Sequence, residues 1–214
     1  MYNPDLCPLF KHIPKDALDE VCLCLHTYEK QYQKNEAILH TGDEILAVGI
    51  VMKGCVHIMK QDLSGNQIMM ASLSINHMLG EAFAFARVRL EVDIIASQST
   101  TILWIPVNNL IHNSPERCPY YDQLIQNMLT IMANKNLYLS TKIEHLSKRT
   151  MKDKVLSYLI QQAKDANSST FDIPFNRQEL ADYLCVDRSA LSYVLAQLQK
   201  EGLILYHKNS FTLC

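Results

Sequence analysis

Between Pro119 and Leu146 the chain contains no glycine and, past Pro119, no proline, and its apolar residues fall on a helical period. A helix of that length exceeds the usual run of about three turns, so it must lean on something along its whole course. Ile125, Met132, Leu139 and Leu146 recur in heptad spacing, and Leu129, Asn136 and Ile143 take the alternate positions. That is the seam of a coiled coil interrupted by one amide, which lowers stability but fixes register and favours two strands. The pattern predicts a dimer interface of Ile125, Leu129, Met132, Asn136, Leu139 and Ile143. The alternative is that the stripe packs only on the chain's own fold.

On either side of this segment the texture differs. From Asp5 to about Glu29, Leu6, Leu9, Ile13, Leu18, Val21, Cys22 and Leu25 come mostly three or four apart, which predicts one or two short helices. From Gln31 to Val107 short β-like runs follow, at Ala37 to Leu39, Ile45 to Met52, Cys55 to Met59, Gln67 to Leu73, Asp93 to Ala96 and Ile102 to Ile105. Turn signals at Gly42-Asp43, Lys53-Gly54 and Ser64-Gly65-Asn66 punctuate them, so a compact antiparallel β-roll or barrel is expected. After Arg149 the sequence predicts helices over Met151 to Asp165 and Arg177 to Lys200, the second one broken. A hairpin turning at Lys208-Asn209-Ser210 closes the chain.

Composition narrows the classes. With 214 residues, 48% hydrophobic and 20% charged, the chain reads as globular, in one large or two small domains. Its longest apolar runs, Ile94 to Ala96 and Ile102 to Ile105, fall far short of the roughly 20 residues that cross a bilayer. Met1 to Pro14 carries Asp5, Lys11 and His12 and lacks the pattern of a signal peptide, so a cytoplasmic protein with no membrane partner is expected. Seven cysteines in irregular spacing predict reduced thiols rather than a disulfide framework.

The most informative stretch is Arg177 to Leu198, which has the spacing of a helix-turn-helix. Ala181 is small where two helices would cross, and Leu180 and Leu184 would bury the first. Val186 would plug the turn, and Leu191, Val194 and Leu195 would bury the second. Asp187 is placed to cap that second helix. Arg188, Ser189, Ser192 and Tyr193 then face outward, with Arg188 suited to bond guanine O6 and N7 together. Arg177, Gln178 and Lys208 complete the expected contacts to double-stranded DNA. A hairpin that merely packs is the bland alternative. Residues 150–214 carry seven Lys plus Arg and seven Asp plus Glu, so the segment is neutral and tight binding would need two copies.

N-terminal helices, roll, long helix and winged helix in this order resemble the cyclic AMP receptor protein and fumarate-nitrate regulator (Crp/Fnr) family of bacterial transcription factors. Gly42-Asp43, Gly54 with Val56, Gly80-Glu81, Arg177-Gln-Glu-Leu-Ala, Leu195 and Glu201-Gly202-Leu-Ile carry the match. The resemblance implies an α+β chain in three parts. Residues 1–118 form an effector-sensing, cyclic-nucleotide-binding-like antiparallel β-roll (a double-stranded β-helix) with N-terminal helices. Residues 119–148 form a dimerisation helix and residues 149–214 a winged helix-turn-helix. It further implies a homodimer on a pseudo-palindromic operator, with a hinge near Arg149 to Lys152, and RNA polymerase as a partner if the protein activates.

The family's cyclic-nucleotide binders follow Gly-Glu with an Arg-Ser or Arg-Thr pair about eleven residues on, to hold the cyclic phosphate. That register here holds Glu91-Val92, and a carboxylate repels phosphate, so cyclic AMP is not expected as the ligand. The positions that touch the base in those relatives fall on Leu139 and Ser140. What remains is Gly80 and Glu81 followed by Phe83, Phe85, Arg87 and Arg89, which suits an aromatic or organic anion as small-molecule effector. The alternative is that the rings fill the roll and the guanidinium groups are solvated.

An iron-sulfur cluster needs four thiolates, and Cys7, Cys22, Cys24, Cys55 and Cys118 offer no compact triplet. Haem remains open through His26, His40, His57 or His77, with His77, just before Gly80-Glu81, the least bland. Cys185, where glycine is usual in the helix-turn-helix, leaves a thiol switch open. No His-x-His suits a cupin-type metal enzyme and no Gly-x-Ser-x-Gly suits a hydrolase, so an enzyme is not expected. A sensor that no longer binds DNA is the remaining rival.

Overall fold

The computed structural model describes residues 7–61, 67–111 and 118–214. Expectations placed on Asp5, Leu6 and the Ser64-Gly65-Asn66 turn lie outside the described residues. Two compact units, 1–132 and 133–214, divide the chain, and their boundary falls inside one long helix.

The first unit opens with 3-10 turns at Pro8–Phe10 and Lys15–Ala17 and helix α1 (Leu18–Cys24). Strands β1 (Tyr28–Tyr32), β2 (Ala37–Leu39), β3 (Ala47–Lys53), β4 (Val56–Gln61), β5 (Gln67–Leu73) and β6 (Met78–Leu79) follow. Then come helix α2 (Glu81–Ala86), strands β7 (Asp93–Ala96) and β8 (Thr100–Pro106), and helix α3 (Val107–Ile111). Two four-stranded sheets, ordered β1-β8-β3-β6 and β2-β7-β4-β5, pair antiparallel throughout. Val48, Ile50, Ile102 and Trp104 from one sheet, and Val56, Ile94 and Ala96 from the other, share one buried cluster. This is the expected roll. At Gly54, φ is +91° and an added Cβ would stand 2.6 Å from the Ser99 carbonyl oxygen, so the turn into β4 admits only glycine without displacement.

Two expectations are corrected here. Tyr28 and Glu29 belong to β1, not to the end of a helical segment. In that strand only Tyr32 is buried, so no period-two alternation announces it, and its pairing with β8 decides its state. The thiols are not all reduced: Cys24 and Cys118 form a disulfide, with their Cα atoms 5.6 Å apart. Packing on one core joins the end of α1 to the start of the long helix, a proximity that a sequence separation of 94 hides.

That long helix, α4, spans Tyr121–Leu146. Its first half is anchored in the first unit. Leu124 and Met128 are buried, and the Asn127 amide, held by Gln123 Nε2, donates to the Leu9 and Lys11 carbonyls at 2.8 and 2.7 Å. Of the heptad residues, Ile125 and Met132 are half-buried, while Leu129 (64%), Leu139 (55%), Ile143 (66%) and Asn136 are exposed. The helix therefore has an apolar stripe that the described residues leave uncovered.

The second unit contains α5 (Met151–Ala166), β9 (Thr170–Asp172), α6 (Arg177–Leu184), α7 (Arg188–Lys200), β10 (Ile204–His207) and β11 (Ser210–Leu213). β9 adds a third strand to the expected hairpin, in the order β10-β11-β9. Each helix begins on a polar cap. Thr150 accepts from the Asp153 amide, and Asn176 and Glu179 form a reciprocal capping box at α6. Leu159, Leu180, Ala181, Leu191, Leu195, Leu198 and Ile204 are wholly buried and hold the three helices to the sheet.

Candidate DNA-contacting surface and effector roll

The turn between α6 and α7 follows from three residues. Cys185 takes a left-handed conformation, φ +52°, and its N–H and that of Val186 return to α6 carbonyls. Asp187 then caps α7, accepting from the amides of Ser189 at 2.8 Å and Ala190 at 3.0 Å and from the Ser189 hydroxyl. These bonds, the Ser189 hydroxyl first, hold the Asp187 carboxyl below its ordinary pKa. The cap keeps the first turn of α7 intact at a helix end that would otherwise expose free donors.

The side chains assigned to DNA do not share one situation. Arg188 is exposed at the first position of α7, and its guanidinium bonds to no other described residue. Tyr193 is 72% exposed, five residues further along the same helix. The Ser189 hydroxyl donates to Asp187 and that of Ser192 to the Arg188 carbonyl at 3.0 Å, so both serines have only acceptor capacity free. Gln178 Nε2 donates to Asp182 at 2.9 Å, and Lys208 is exposed at the wing turn with φ +52°. Arg177 differs most. Its Nη2 donates to the Lys208 carbonyl at 2.6 Å and its guanidinium lies 5.1 and 5.2 Å from the Tyr206 and Phe211 rings. Burial lowers its pKa. Arg177 thus ties α6 to the wing, a role that sequence spacing does not reveal, because the partner is a carbonyl across the fold.

In the roll, Gly80 (φ +77°) starts α2, and Glu81 is buried. Phe83 and Phe85 are half-buried against the core, which is the alternative in which these rings fill the roll. Arg87 is exposed in a left-handed conformation that ends the helix. Arg89 is also exposed, but its Nη1 donates to the Gly42 carbonyl at 2.8 Å. Leu139 and Ser140 lie in the second unit, both exposed. Glu91 stands 3.8 Å from Lys60, a residue the sequence reading passed over, and Val92 packs toward the core. A cyclic phosphate needs a guanidinium and a hydroxyl where the chain offers a carboxylate and an isopropyl group, so these residues do not fit it.

The cysteines and histidines are dispersed. Cys24 and Cys118 are bonded to each other, burial pushes the Cys22 thiol up, and Cys55 Sγ contacts the Ser72 hydroxyl at 3.1 Å. His77 is exposed, its Nδ1 3.1 Å from the Ser74 carbonyl oxygen. Among the described residues no three His, Cys, Asp or Glu side chains come together as a metal site. Among them also, no helix is long and apolar enough to cross a membrane.

Comparison with known proteins agrees with this geometry. Residues 29–112 match the cyclic nucleotide-binding domain and residues 153–214 the Crp-like helix-turn-helix domain. The global nitrogen regulator of Synechococcus elongatus is 23% identical over 86% of this chain and 84% of its own length. The cAMP-activated global transcriptional regulator CRP of Pasteurella multocida is 20% identical over 85% and 88%. Among solved structures, CprK complexed with OCPA superposes with a TM-score of 0.67 at 14% identity, over 94% of this chain and 92% of that one. The c-di-GMP-responsive regulator CLP of Xanthomonas campestris gives 0.58 at 17%, over 94% and 99%. Roll, long helix and winged helix thus recur in one order in proteins that regulate transcription, and the chain belongs to the Crp/Fnr family of DNA-binding transcription regulators.

Proposed function

We propose that this regulator acts in the cytoplasm as a homodimer, reads two symmetric DNA half-sites with α7, and answers to a small-molecule or redox signal other than cyclic AMP. The observation that carries it is Arg188. Its guanidinium stands at the capped, solvent-facing start of α7 with no partner among the described residues, where a recognition helix meets base edges. Ser189, Ser192 and Tyr193 supply neighbouring contacts, and Lys208 meets phosphate from the wing. Leu129, Asn136, Leu139 and Ile143 are the exposed seam through which two copies of α4 pair. In an activating complex, RNA polymerase is the further partner. The Cys24–Cys118 pair favours a second reading, in which oxidation of the first unit is the signal.

Selection from random double-stranded DNA tests the proposal. The expected product is a pseudo-palindrome with half-site centres about 34 Å apart. Arg188→Ala costs about 1 to 3 kcal/mol per half-site and relaxes one base pair while the dimer mass is unchanged. Equal affinity of Arg188→Ala and wild type, or no enriched palindrome, removes α7 from the role given to it. Cyclic AMP leaves the melting temperature of the first unit unchanged; a concentration-dependent rise overturns the exclusion.

A further inference from the structure

The second unit contains an aromatic cluster that runs from its core, where Tyr158 and Tyr183 are buried and Phe175 packs, out to the exposed Tyr138 on α4. Tyr138 and His145 on α4, Tyr158 on α5, Phe175 before α6 and Tyr183 on α6 stand with ring centroids 5.1 to 6.2 Å apart. These five residues line one cavity of about 490 Å³, together with Thr141, Gln161, Gln162 and Asp165. A volume of that size falls in the range of small-molecule sites. The Tyr158 hydroxyl is wholly buried and finds no hydrogen-bond partner among the described residues, although Tyr158 is only 2% exposed. A buried hydroxyl without a partner carries an unmet desolvation cost, which a ligand group can relieve.

The charge of the lining selects the ligand. Among the described residues Asp165 is its one charged side chain, and no lysine or arginine lines it. Burial lowers the pKa of His145, whose Nδ1 lies 2.9 Å from the Ser157 hydroxyl, so the ring is neutral near pH 7. Burial likewise raises the Tyr158 and Tyr183 pKa values, the latter to about 12, so both keep their protons. Faces of tyrosine attract cations, and this chain already uses one so: Lys142 Nζ stands 5.1 Å from the Tyr183 ring centroid.

We infer that this cavity is a second effector site, which takes a small organic cation with an apolar body, such as an arylalkyl amine. Its ammonium would lie between the tyrosine faces and the Asp165 carboxylate, and its apolar part against Phe175 and Leu137. Tyr138, Thr141 and His145 lie on the side of α4 opposite Asn136, Leu139 and Ile143, by the 100° advance per residue of a helix. Pairing through the seam therefore leaves the site open. The inference rests on the regulator reading for its consequence, since the cavity joins the end of α4 to the helix-turn-helix; the binding itself does not depend on DNA.

Isothermal titration of the full chain with phenethylamine and with its uncharged analogue 2-phenylethanol tests the inference. Phenethylamine should bind one per chain, with the alcohol at least about tenfold weaker. Asp165→Asn and Tyr138→Ala change exposed side chains and should weaken the amine by about tenfold without altering the far-ultraviolet circular dichroism. Absence of amine binding, equal binding of the alcohol, or unaltered binding by both variants overturns the site. Repeating DNA selection with phenethylamine separates the two readings: a palindrome without amine binding sinks only this inference, and amine binding without a palindrome sinks only the regulator.

Discussion

The two helices at the family's functional places, α7 and α2, use their side chains in opposite ways. On α7 the inner residues Leu191, Leu195 and Leu198 are wholly buried, and the outer residues Arg188 and Tyr193 are left uncommitted. Around α2 little is uncommitted. Glu81 is buried, Phe83 and Phe85 pack on the core, Arg89 bonds the Gly42 carbonyl and Glu91 faces Lys60. A helix with separate faces can change its outward residues at little structural cost. A segment whose groups are packed on the core or bonded to neighbouring residues can change them only by changing those contacts as well.

The largest effect that would break this contrast lies inside α7. Leu195→Ala opens a cavity among wholly buried residues and should destabilise the second unit by about 2 to 5 kcal/mol. Tyr193→Ala, on the outer face, should stay within about 0.5 kcal/mol. Urea titrations followed by circular dichroism compare them, and comparable losses would mean that α7 has no free face. A smaller effect sits at the turn. Cys185 holds φ +52° with a β-carbon, so Cys185→Gly should gain about 0.5 to 1 kcal/mol, the relief of strain exceeding the entropy that glycine adds to the unfolded chain. A loss of stability instead would show that the exposed thiol side chain makes a contact of value.

The contrast also marks how far the sequence could be read. Local physics was legible: Asp187 caps α7, Val186 follows the turn, and Leu180, Leu184, Leu191 and Leu195 are buried as their helical spacing predicts. Strand β1 was not, because four of its five residues are exposed and only its pairing with β8 makes it a strand. The Cys24–Cys118 bond and the Arg177 carbonyl contact were equally hidden, since each joins groups far apart in sequence by tertiary packing. The aromatic cavity lay unseen for the same reason: Tyr138, Tyr158 and Tyr183 come from three helices and share no spacing motif.

The smallest prediction sharpens the other half of the contrast. If Arg89 serves the fold, its bond to the Gly42 carbonyl closes the turn against the segment that follows α2, where the Leu90 amide also bonds the Asp43 carbonyl. Arg89→Met keeps most of the side-chain stem and removes the donor, so the first unit should lose about 0.5 to 1 kcal/mol, the low end because the group is exposed. Trp104 is the only tryptophan of the chain, is buried in the roll and donates to the Tyr32 hydroxyl, so its fluorescence in urea reports this unit alone. The second unit's transition should not move, since no described bond from Arg89 reaches it. An unchanged Trp104 midpoint would return Arg89 to the pool of uncommitted cations available to an anionic effector, and α2 would then resemble α7 rather than oppose it.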